Sequence, residues 1–261
     1  MQQTVNIIKV GGNIIDNESK LTTFLTDFAQ LKGLKVLIHG GGKVATEISK
    51  GLGIEAKMVD GRRITDTETL KIVTMVYAGL INKNLVAKLQ SKGCNAIGLT
   101  GADANIIPAH KRPVKEIDYG FVGDVEEEKM DGVVLSALLK SGLSPILAPL
   151  THDQQGNMLN TNADTIASTV AVSLSKHFNV NLIYCFEKDG VLDAEEKVIQ
   201  EISKPYFAEL KEKGVVIAGM IPKLDNAFAA IDKGVSSVYI MHADGLPTLI
   251  NDSKNTGTKI S

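Results

Sequence analysis

The stretch KVLIHGGGKVATEISKGL, residues 35–52, carries a strand signal, a turn signal and a helix signal in direct succession. Its first five residues form a short, mostly apolar run of the length expected of a buried strand. Three glycines follow at 40–42, and apolar residues then recur at helical spacing through Ile48 and Leu52. A short apolar strand that leads through a tight turn into a helix is the repeating unit of parallel α/β sheets.

The same succession recurs along the chain. We therefore predict an α/β fold, a three-layer α/β/α sandwich with an open, mainly parallel central sheet. We expect two lobes, 1–177 and 178–261, because a turn precedes the apolar run at 182–186. The remaining strands are predicted at 5–10, 96–100, 145–150 and 237–241, and the remaining helices at 21–31, 67–92, 166–174 and 220–231.

Two segments interrupt this alternation. The sequences EAKMVDGRRITD (55–66) and VKEIDYGFVGDVE (114–126) are typical of hairpins. A third, polar segment at 152–164 is predicted to be a loop or small hairpin that leads into a helix. Hairpins inserted in an α/β sheet commonly serve as lids over a binding site. The glycines expected at the turns of the first two hairpins are Gly61, Gly120 and Gly123.

The composition narrows the class of partner. The 28 basic and 30 acidic residues give a net charge of −2, which argues against nucleic acid as a partner. Cys94 and Cys185 each lie in an apolar, strand-like context and are interpreted as small core residues. We expect neither a signal peptide nor a membrane span, because no basic patch precedes an apolar block and the longest apolar stretch, 133–150, is interrupted. A cytoplasmic protein is predicted.

The triple glycine of HGGGK, residues 39–43, is the clearest candidate for a binding element. Glycine allows a ligand to approach the backbone closely, and the helix that follows offers free N–H groups at its positive end. The plain alternative is a tight turn, for which one glycine normally suffices. The spacing matches neither a P-loop nor a dinucleotide-binding fingerprint. We therefore interpret this turn as a cradle for an anion.

Two lysines stand where a purely structural role is awkward. Lys9 is the last residue but one of the strand in IIKVGGN, residues 7–13, and one valine separates it from two glycines. Lys223 follows Pro222 in GMIPK, at the start of a predicted helix, where a cation meets the positive end of the helix dipole. Lys9 also has the plain interpretation of a solvated side chain at a strand end. Both placements make sense if an anion binds between them.

Two further motifs supply polar side chains. DGRRITD (60–66) places two arginines in a hairpin, where one could hold a carboxylate through two hydrogen bonds or both could be solvated. NTNAD (160–164) opens a helix, so Asn162 or Asp164 suits a capping role. Asp164 could equally hold one or two lysines by its charge. The residues themselves leave these alternatives open.

Together these motifs predict a polyanion held between lysines, glycine N–H groups and an arginine. No general base is evident near them. A carboxylate nucleophile needs none, since its ordinary pKa is about 4.3. Phosphoryl transfer to a carboxylate demands positioning and charge neutralisation above all, and it fits this inventory.

The motifs IIKVGG, HGGG, DGRRIT, NTNAD, GMIPK and the terminal GTKI (257–260) occur in the order and spacing of the amino-acid kinase family, which the whole chain resembles. Within that family it is most similar to the members that phosphorylate acylated glutamate. The resemblance implies ATP-dependent phosphorylation of the side-chain carboxylate of N-acetyl-L-glutamate to an acyl phosphate, a step of arginine biosynthesis.

The resemblance also implies roles for single residues. Lys9 and Lys223 would stabilise the transition state, and Asp164 would hold both lysines. Gly12, Gly41 and Gly42 would offer N–H groups to phosphate and substrate, while Arg63 would grip the α-carboxylate and Asn160 the acylamino group. ATP would bring Mg²⁺ on its own oxygens, with no protein ligand. The implied nucleotide-binding residues are Glu187, Lys188, Asp189, Gly190, Val191, Leu192, Val215, Val216 and Ile217.

The chain departs from the family pattern in three places. The nucleotide loop of the family reads close to TDVxGVL, whereas this chain has CFEKDGVL at 185–192. Lys43 follows the triple glycine where many relatives have proline. TGADANII (100–107) lacks the usual glycine-rich character, which leaves the acyl group open between acetyl and a larger one such as succinyl.

Assembly and the competing functions follow from the same resemblance. Hexameric, arginine-inhibited members carry a helix before the first strand, and here that strand begins by about residue 4, so we expect a homodimer insensitive to arginine. Carbamate kinase, glutamate 5-kinase, uridylate kinase and aspartokinase share the sandwich, and a member like carbamate kinase or glutamate 5-kinase is the alternative within the family. A catalytically silent amino-acid sensor should have lost Lys9, Lys223 or Asp164, and all three are present.

Overall fold

The computed structural model describes residues 2–59, 62–215 and 220–261. Their strands are β1 (Thr4–Val10), β2 (Leu34–His39), β3 (Met58–Val59), β4 (Arg62–Arg63), β5 (Ala96–Leu99), β6 (Ala109–Lys111), β7 (Gly123–Val125), β8 (Ser144–Leu147), β9 (Leu150–His152), β10 (Met158–Asn160), β11 (Asn179–Phe186), β12 (Glu201–Ile202), β13 (Ser237–His242) and β14 (Thr258–Ile260). Their α-helices are α1 (Gly12–Ile15), α2 (Glu18–Gln30), α3 (Gly42–Gly51), α4 (Thr67–Val73), α5 (Asn82–Gln90), α6 (Val133–Lys140), α7 (Ala163–Ser175), α8 (Lys204–Glu212), α9 (Ile221–Asp232) and α10 (Leu246–Asp252). A π-helix (Thr74–Ile81) joins α4 to α5, and the shortest helical turns are Asp103–Asn105, Glu127–Lys129 and Ala243–Gly245.

Eight of these strands form one central sheet in the order β12-β14-β13-β11-β1-β2-β8-β5. Neighbouring strands run parallel except β13 and β14, so the sheet is mainly parallel as predicted. The strand predicted at 145–150 is wrong in its second half, because β8 ends at Leu147 and Leu150 begins β9. Pro149 lies between them and has no N–H to continue a ladder.

Both faces of the sheet are buried. Val5 and Ile7 of β1 pack into one apolar core with α6, α7, α8 and α9. Ile8 and Val10 point to the opposite face and pack with α2, α4, α5 and α10. This alternation along a central strand, with apolar residues on both faces, confirms the three-layer sandwich. Cys94 and Cys185 are buried and free, as predicted.

The carboxyl ends of the central strands meet at one edge of the sheet. Val10 lies beside His39 on β2 and Cys185 on β11. The turns that follow these strands, at 11–12, 40–42 and 187–192, therefore gather at the edge where open α/β sheets bind ligands. The pairing of β1 with β11 also makes the sheet continuous across the two expected lobes. The boundary between 177 and 178 stays a prediction.

Three small hairpins, β3–β4, β6–β7 and β9–β10, lie beside this edge and are joined by the isolated bridges Thr65–Gly120 and Val122–Asn160. The second hairpin is displaced from its predicted position. Its first strand is β6, and Gly123 begins β7 instead of lying in a turn. Gly120 does lie in the turn, at φ +70°, where an added Cβ would stand 2.2 Å from the Thr65 carbonyl oxygen. The turn of the first hairpin, including Gly61, lies outside the described residues.

The helix predicted at 67–92 is one continuous run from α4 through the π-helix to α5. The π-helical geometry was not predicted. Among the described residues, no helix is both long and apolar enough to cross a bilayer.

Candidate active site

An ion pair between Lys9 and Asp164 lies at the centre of the sheet edge. Lys9 continues the Val5 and Ile7 face of β1, which packs against α7. Asn162 caps α7 by accepting hydrogen bonds from the backbone N–H groups of Asp164 and Thr165, at 2.8 and 3.1 Å. Asp164 is thereby placed in the first helical turn, with Oδ1 2.8 Å from Lys9 Nζ. The sequence alternatives are both realised, since Asn162 is the cap and Asp164 holds a lysine.

Lys223, the third residue of α9, approaches the same place from the other side. Its ammonium lies over the ring of Phe186, 3.7 Å from the centroid. Burial lowers the pKa of Lys223, Asp164 opposes this by raising it, and Lys9 lowers it further. Within the described residues, the ion pair of Asp164 is with Lys9. Asp164 therefore acts on Lys223 through its charge, without a direct ion pair.

Both lysines line a cavity of about 470 Å³ on the side of β11. Asp189 and Val215 do not line it, and their binding role stays a prediction; Val216 and Ile217 lie outside the described residues. Thr258 of the GTKI motif fixes the loop after β11, since its hydroxyl accepts a hydrogen bond from the Val191 N–H at 2.8 Å. The other residues predicted to bind nucleotide all line this cavity, namely Gly12, Glu187, Lys188, Gly190, Val191 and Leu192.

The triple-glycine turn is held from beneath by a buried histidine. The Asn82 side-chain nitrogen donates to the Ile146 carbonyl at 2.9 Å and lies 3.2 Å from His39 Nε2. His39 Nε2 is therefore the acceptor, and Nδ1 carries the proton that it donates to the Gly40 carbonyl at 2.8 Å. Burial lowers the pKa of His39 to about 4. A neutral, hydrogen-bonded histidine thus supports the turn, and none of its nitrogens is free for proton transfer.

The second glycine of the turn is required by space as well as by conformation. Gly41 has φ +148°, and a Cβ there would lie 2.3 Å from Ile81 Cδ1 of the π-helix. A Cβ on Gly40 would lie 3.7 Å from the Gly12 nitrogen, so the two glycine turns are neighbours. The triple glycine lines a second cavity, so the glycine turns of the two cavities lie side by side.

This second cavity, of about 220 Å³, contains the predicted acceptor residues Gly41, Gly42, Arg63 and Asn160. Arg63 is 6% exposed. Its Nη2 donates to the Gly42 carbonyl at 2.8 Å and to Thr46 Oγ1 at 2.7 Å, but its buried Nη1 has no partner among the described residues. A buried N–H without an acceptor is costly, and a carboxylate is the natural partner for it.

Three residues at these cavities were missed by the sequence analysis. Phe186 lies under Lys223, Tyr77 faces Arg63 from the π-helix, and Arg112 donates through Nε to Asp124 at 3.0 Å in the wall of the acceptor cavity. None has a local sequence signal, because each reaches the site through tertiary packing. Within the described residues, no group of three or more His, Cys, Asp or Glu side chains is placed to hold a metal ion.

Known proteins similar to this chain come from one family of kinases and from proteins that share its fold. The model of the "Amino acid kinase family" matches residues 4–242. The acetylglutamate kinase of Cytophaga hutchinsonii is 66% identical over 99% of this chain and 98% of its own length, and that of Bacteroides thetaiotaomicron is 57% identical over 100% and 99%. The N-acetylglutamate synthase of Neisseria gonorrhoeae is similar in fold, with a TM-score of 0.83 at 22% identity over 99% of this chain and 59% of that one.

Proposed function

The chain belongs to the amino acid kinase family, and from this premise we propose that it is a phosphotransferase with a carboxyl group as acceptor. It phosphorylates the side-chain carboxylate of N-acetyl-L-glutamate at the expense of ATP, and the acyl phosphate formed is an intermediate of arginine biosynthesis. The observation that carries the proposal is the pair of lysines, Lys9 and Lys223, in the wall of the first cavity, with Asp164 paired to Lys9 and the acceptor cavity on the neighbouring glycine turn.

The reaction needs charge control more than proton transfer. The acceptor carboxylate is ionised at neutral pH, and its oxygen forms a bond to the γ-phosphorus as the bond to the β-phosphate oxygen breaks and ADP leaves. Lys9 and Lys223 offset the charge on the moving phosphoryl group, and the N–H groups of Gly12 and Gly41 face the anions from either turn. Mg²⁺ would arrive on the nucleotide's own oxygens, where it shields part of their charge.

The acceptor is oriented by its other polar groups. The unpartnered Nη1 of Arg63 is suited to the α-carboxylate, and Asn160, whose side-chain nitrogen donates to Thr65 Oγ1 at 3.0 Å, is suited to the acylamino group. A second acceptor, N-succinyl-L-glutamate, is favoured by one observation. Arg112 and Asp124 lie between the acceptor cavity and a neighbouring one of about 720 Å³, so a longer acyl group has space there, where Lys115 is accompanied by Glu116.

The proposal extends to a cytoplasmic homodimer. ATP and free amino-acid precursors are cytoplasmic, which supports the location. Met75 and Leu80 of the π-helix are 57% and 48% exposed and offer apolar surface to a second copy. Light scattering coupled to size-exclusion chromatography tests the assembly, and a monomeric mass at micromolar concentration would contradict it.

A coupled assay of ADP release tests the function. N-acetylglutamate, N-succinylglutamate, free glutamate, UMP and carbamate are offered in parallel, and one of the two acylated glutamates should have the highest kcat/KM. Lys9→Ala and Lys223→Ala should each lower kcat on the order of 10²-fold or more. Lys204→Met removes an exposed lysine from α8 and serves as the control. Unimpaired turnover in either of the first two variants, or a preference for UMP or carbamate, would overturn the proposal.

A further inference from the structure

The ring of Phe186 is shared by both lysines of the site. Phe186 is the last residue of β11 and lines the cavity on the nucleotide side. The Lys223 ammonium lies 3.7 Å from the ring centroid and the Lys9 ammonium 5.4 Å from it. The ring is itself supported by Tyr184, which stacks on it at a centroid distance of 6.2 Å and an interplanar angle of 18°.

The two ammonium groups need more than one anion nearby. They repel each other at close range, and one carboxylate, Asp164, accompanies them through a direct ion pair with Lys9. Lys223 therefore lacks a full counter-charge among the described residues, although it is partly removed from water. The face of an aromatic ring is electron-rich and attracts a cation within about 6 Å of its centroid, more strongly where water is excluded.

We propose that Phe186 is a positioning residue for phosphoryl transfer, whose ring holds the Lys223 ammonium charged and aimed into the cavity before nucleotide binds. The inference rests on the proposed function only for the role of Lys223. The alternative is that Phe186 only fills space in the cavity wall. An aliphatic side chain of similar volume would then serve as well, and this difference makes the two interpretations separable.

Among the described residues, the other charged or titratable groups around Lys223 stay the same when the ring is changed. These groups are Lys9 on β1, Asp164 on α7, Tyr184 and Cys185 on β11, and Glu187 and Lys188 in the loop that follows. The ring favours the protonated amine, so its removal should lower the pKa of Lys223. The loss of activity at alkaline pH should then begin at lower pH in a variant without the ring.

The experiment compares Phe186→Leu and Phe186→Met with Phe186→Tyr in the full-length protein. The first two keep an apolar side chain without a ring, and the third keeps the aromatic face. We expect the two ring-free variants to lose about five- to tenfold in kcat, with an unchanged KM for the acylated glutamate and an acid-shifted alkaline limb. Phe186→Tyr should stay within about twofold of the wild type in kcat. A twofold change in rate corresponds to a difference of under about 0.5 kcal/mol in the activation free energy. Wild-type behaviour of a folded Phe186→Leu or Phe186→Met, or equal impairment of Phe186→Tyr, would overturn the inference.

A second measurement is independent of turnover. Lysines of the protein are reductively dimethylated with ¹³C-formaldehyde, and the Lys223 signal is assigned by its loss in Lys223→Arg. Its pKa, followed by NMR, should be lower in Phe186→Leu and Phe186→Met than in Phe186→Tyr or the wild type. If no acylated glutamate were phosphorylated, the proposed function would fail while this titration still decided the role of Phe186. Equal pKa values in all the variants would refute that role.

Discussion

Lys9 Nζ lies 2.8 Å from Asp164 Oδ1, so the central strand β1 and the first turn of α7 are joined by an ion pair at the edge of the sheet where we propose that the ligands bind. The side chains are 11% and 31% exposed, which places the pair between a solvated bridge and a buried one. Such a pair holds a cation in a fixed direction, because moving the ammonium away would leave the carboxylate without its partner.

Asp164→Asn should lower kcat on the order of 10²-fold, because the amide keeps the shape of the side chain but no longer offsets the charge of the lysines. We also expect the free energy of unfolding to fall by about 1–2 kcal/mol, less than for a fully buried pair. Steady-state kinetics and urea denaturation measure the two effects. The matched control is Asp232→Asn, which breaks an exposed ion pair with Lys204. A kcat for Asp164→Asn near that of this control would contradict the assigned role.

Arg63→Lys should raise the KM for the acylated glutamate about ten- to a hundredfold and leave the KM for ATP unchanged. A lysine cannot reproduce the planar fork that contacts Gly42 and Thr46 while presenting Nη1 to the acceptor, and a hydrogen bond to a charged group contributes about 1.5–3 kcal/mol. Lys50→Arg, at an exposed position of α3 outside the acceptor cavity, is the control and should leave this KM unchanged. Equal effects of the two substitutions would show that Arg63 has no special contact with the substrate.

The sequence was informative wherever a charge or a glycine stands in an apolar context. Lys9 and Lys223 conflict locally with their surroundings, and the triple glycine exceeds what a turn needs. Arg63 was singled out by the family resemblance instead, and all of these residues lie at the two cavities. Phe186 and Tyr77 look like ordinary apolar residues in sequence, since their partners come from α9 and β4. The position of the hairpin formed by β6 and β7 was predicted wrongly for a related reason. Strands of three residues are too short for an alternating pattern, and their register is set by contacts with β9 and β10.

Gly41→Ala should lower the free energy of unfolding by about 1–3 kcal/mol and reduce kcat/KM, because it combines an unfavourable backbone conformation with a collision against Ile81. Chemical denaturation and kinetics measure both quantities. The double variant Gly41→Ala with Ile81→Val lacks the Ile81 atom that the new Cβ would meet. Its loss in the free energy of unfolding should therefore be smaller than the sum of the losses in the two single variants. Gly51→Ala is the control, since nothing lies within 4 Å of its added Cβ. Additive effects of the first pair would show that Ile81 does not restrict the turn.

The buried His39 should make the fold sensitive to mild acid. Its pKa is about 4 in the folded protein, below the value near 6.5 of an exposed histidine, so the folded state prefers the neutral ring. The stabilisation that this preference provides is complete above pH 6.5 and is lost as the pH falls from there towards 4, by at most about 3 kcal/mol. Urea denaturation at pH 7.0 and 4.5 should therefore show a smaller loss of stability in His39→Gln than in the wild type. Glutamine can keep a hydrogen bond to Gly40 or Asn82 without a titrating ring.

The control is His110→Gln, at an exposed position, which should retain the wild-type difference in stability between the two pH values. If His39→Gln lost as much stability between the two pH values as the wild type does, the neutral, buried imidazole would not be the source of the acid sensitivity.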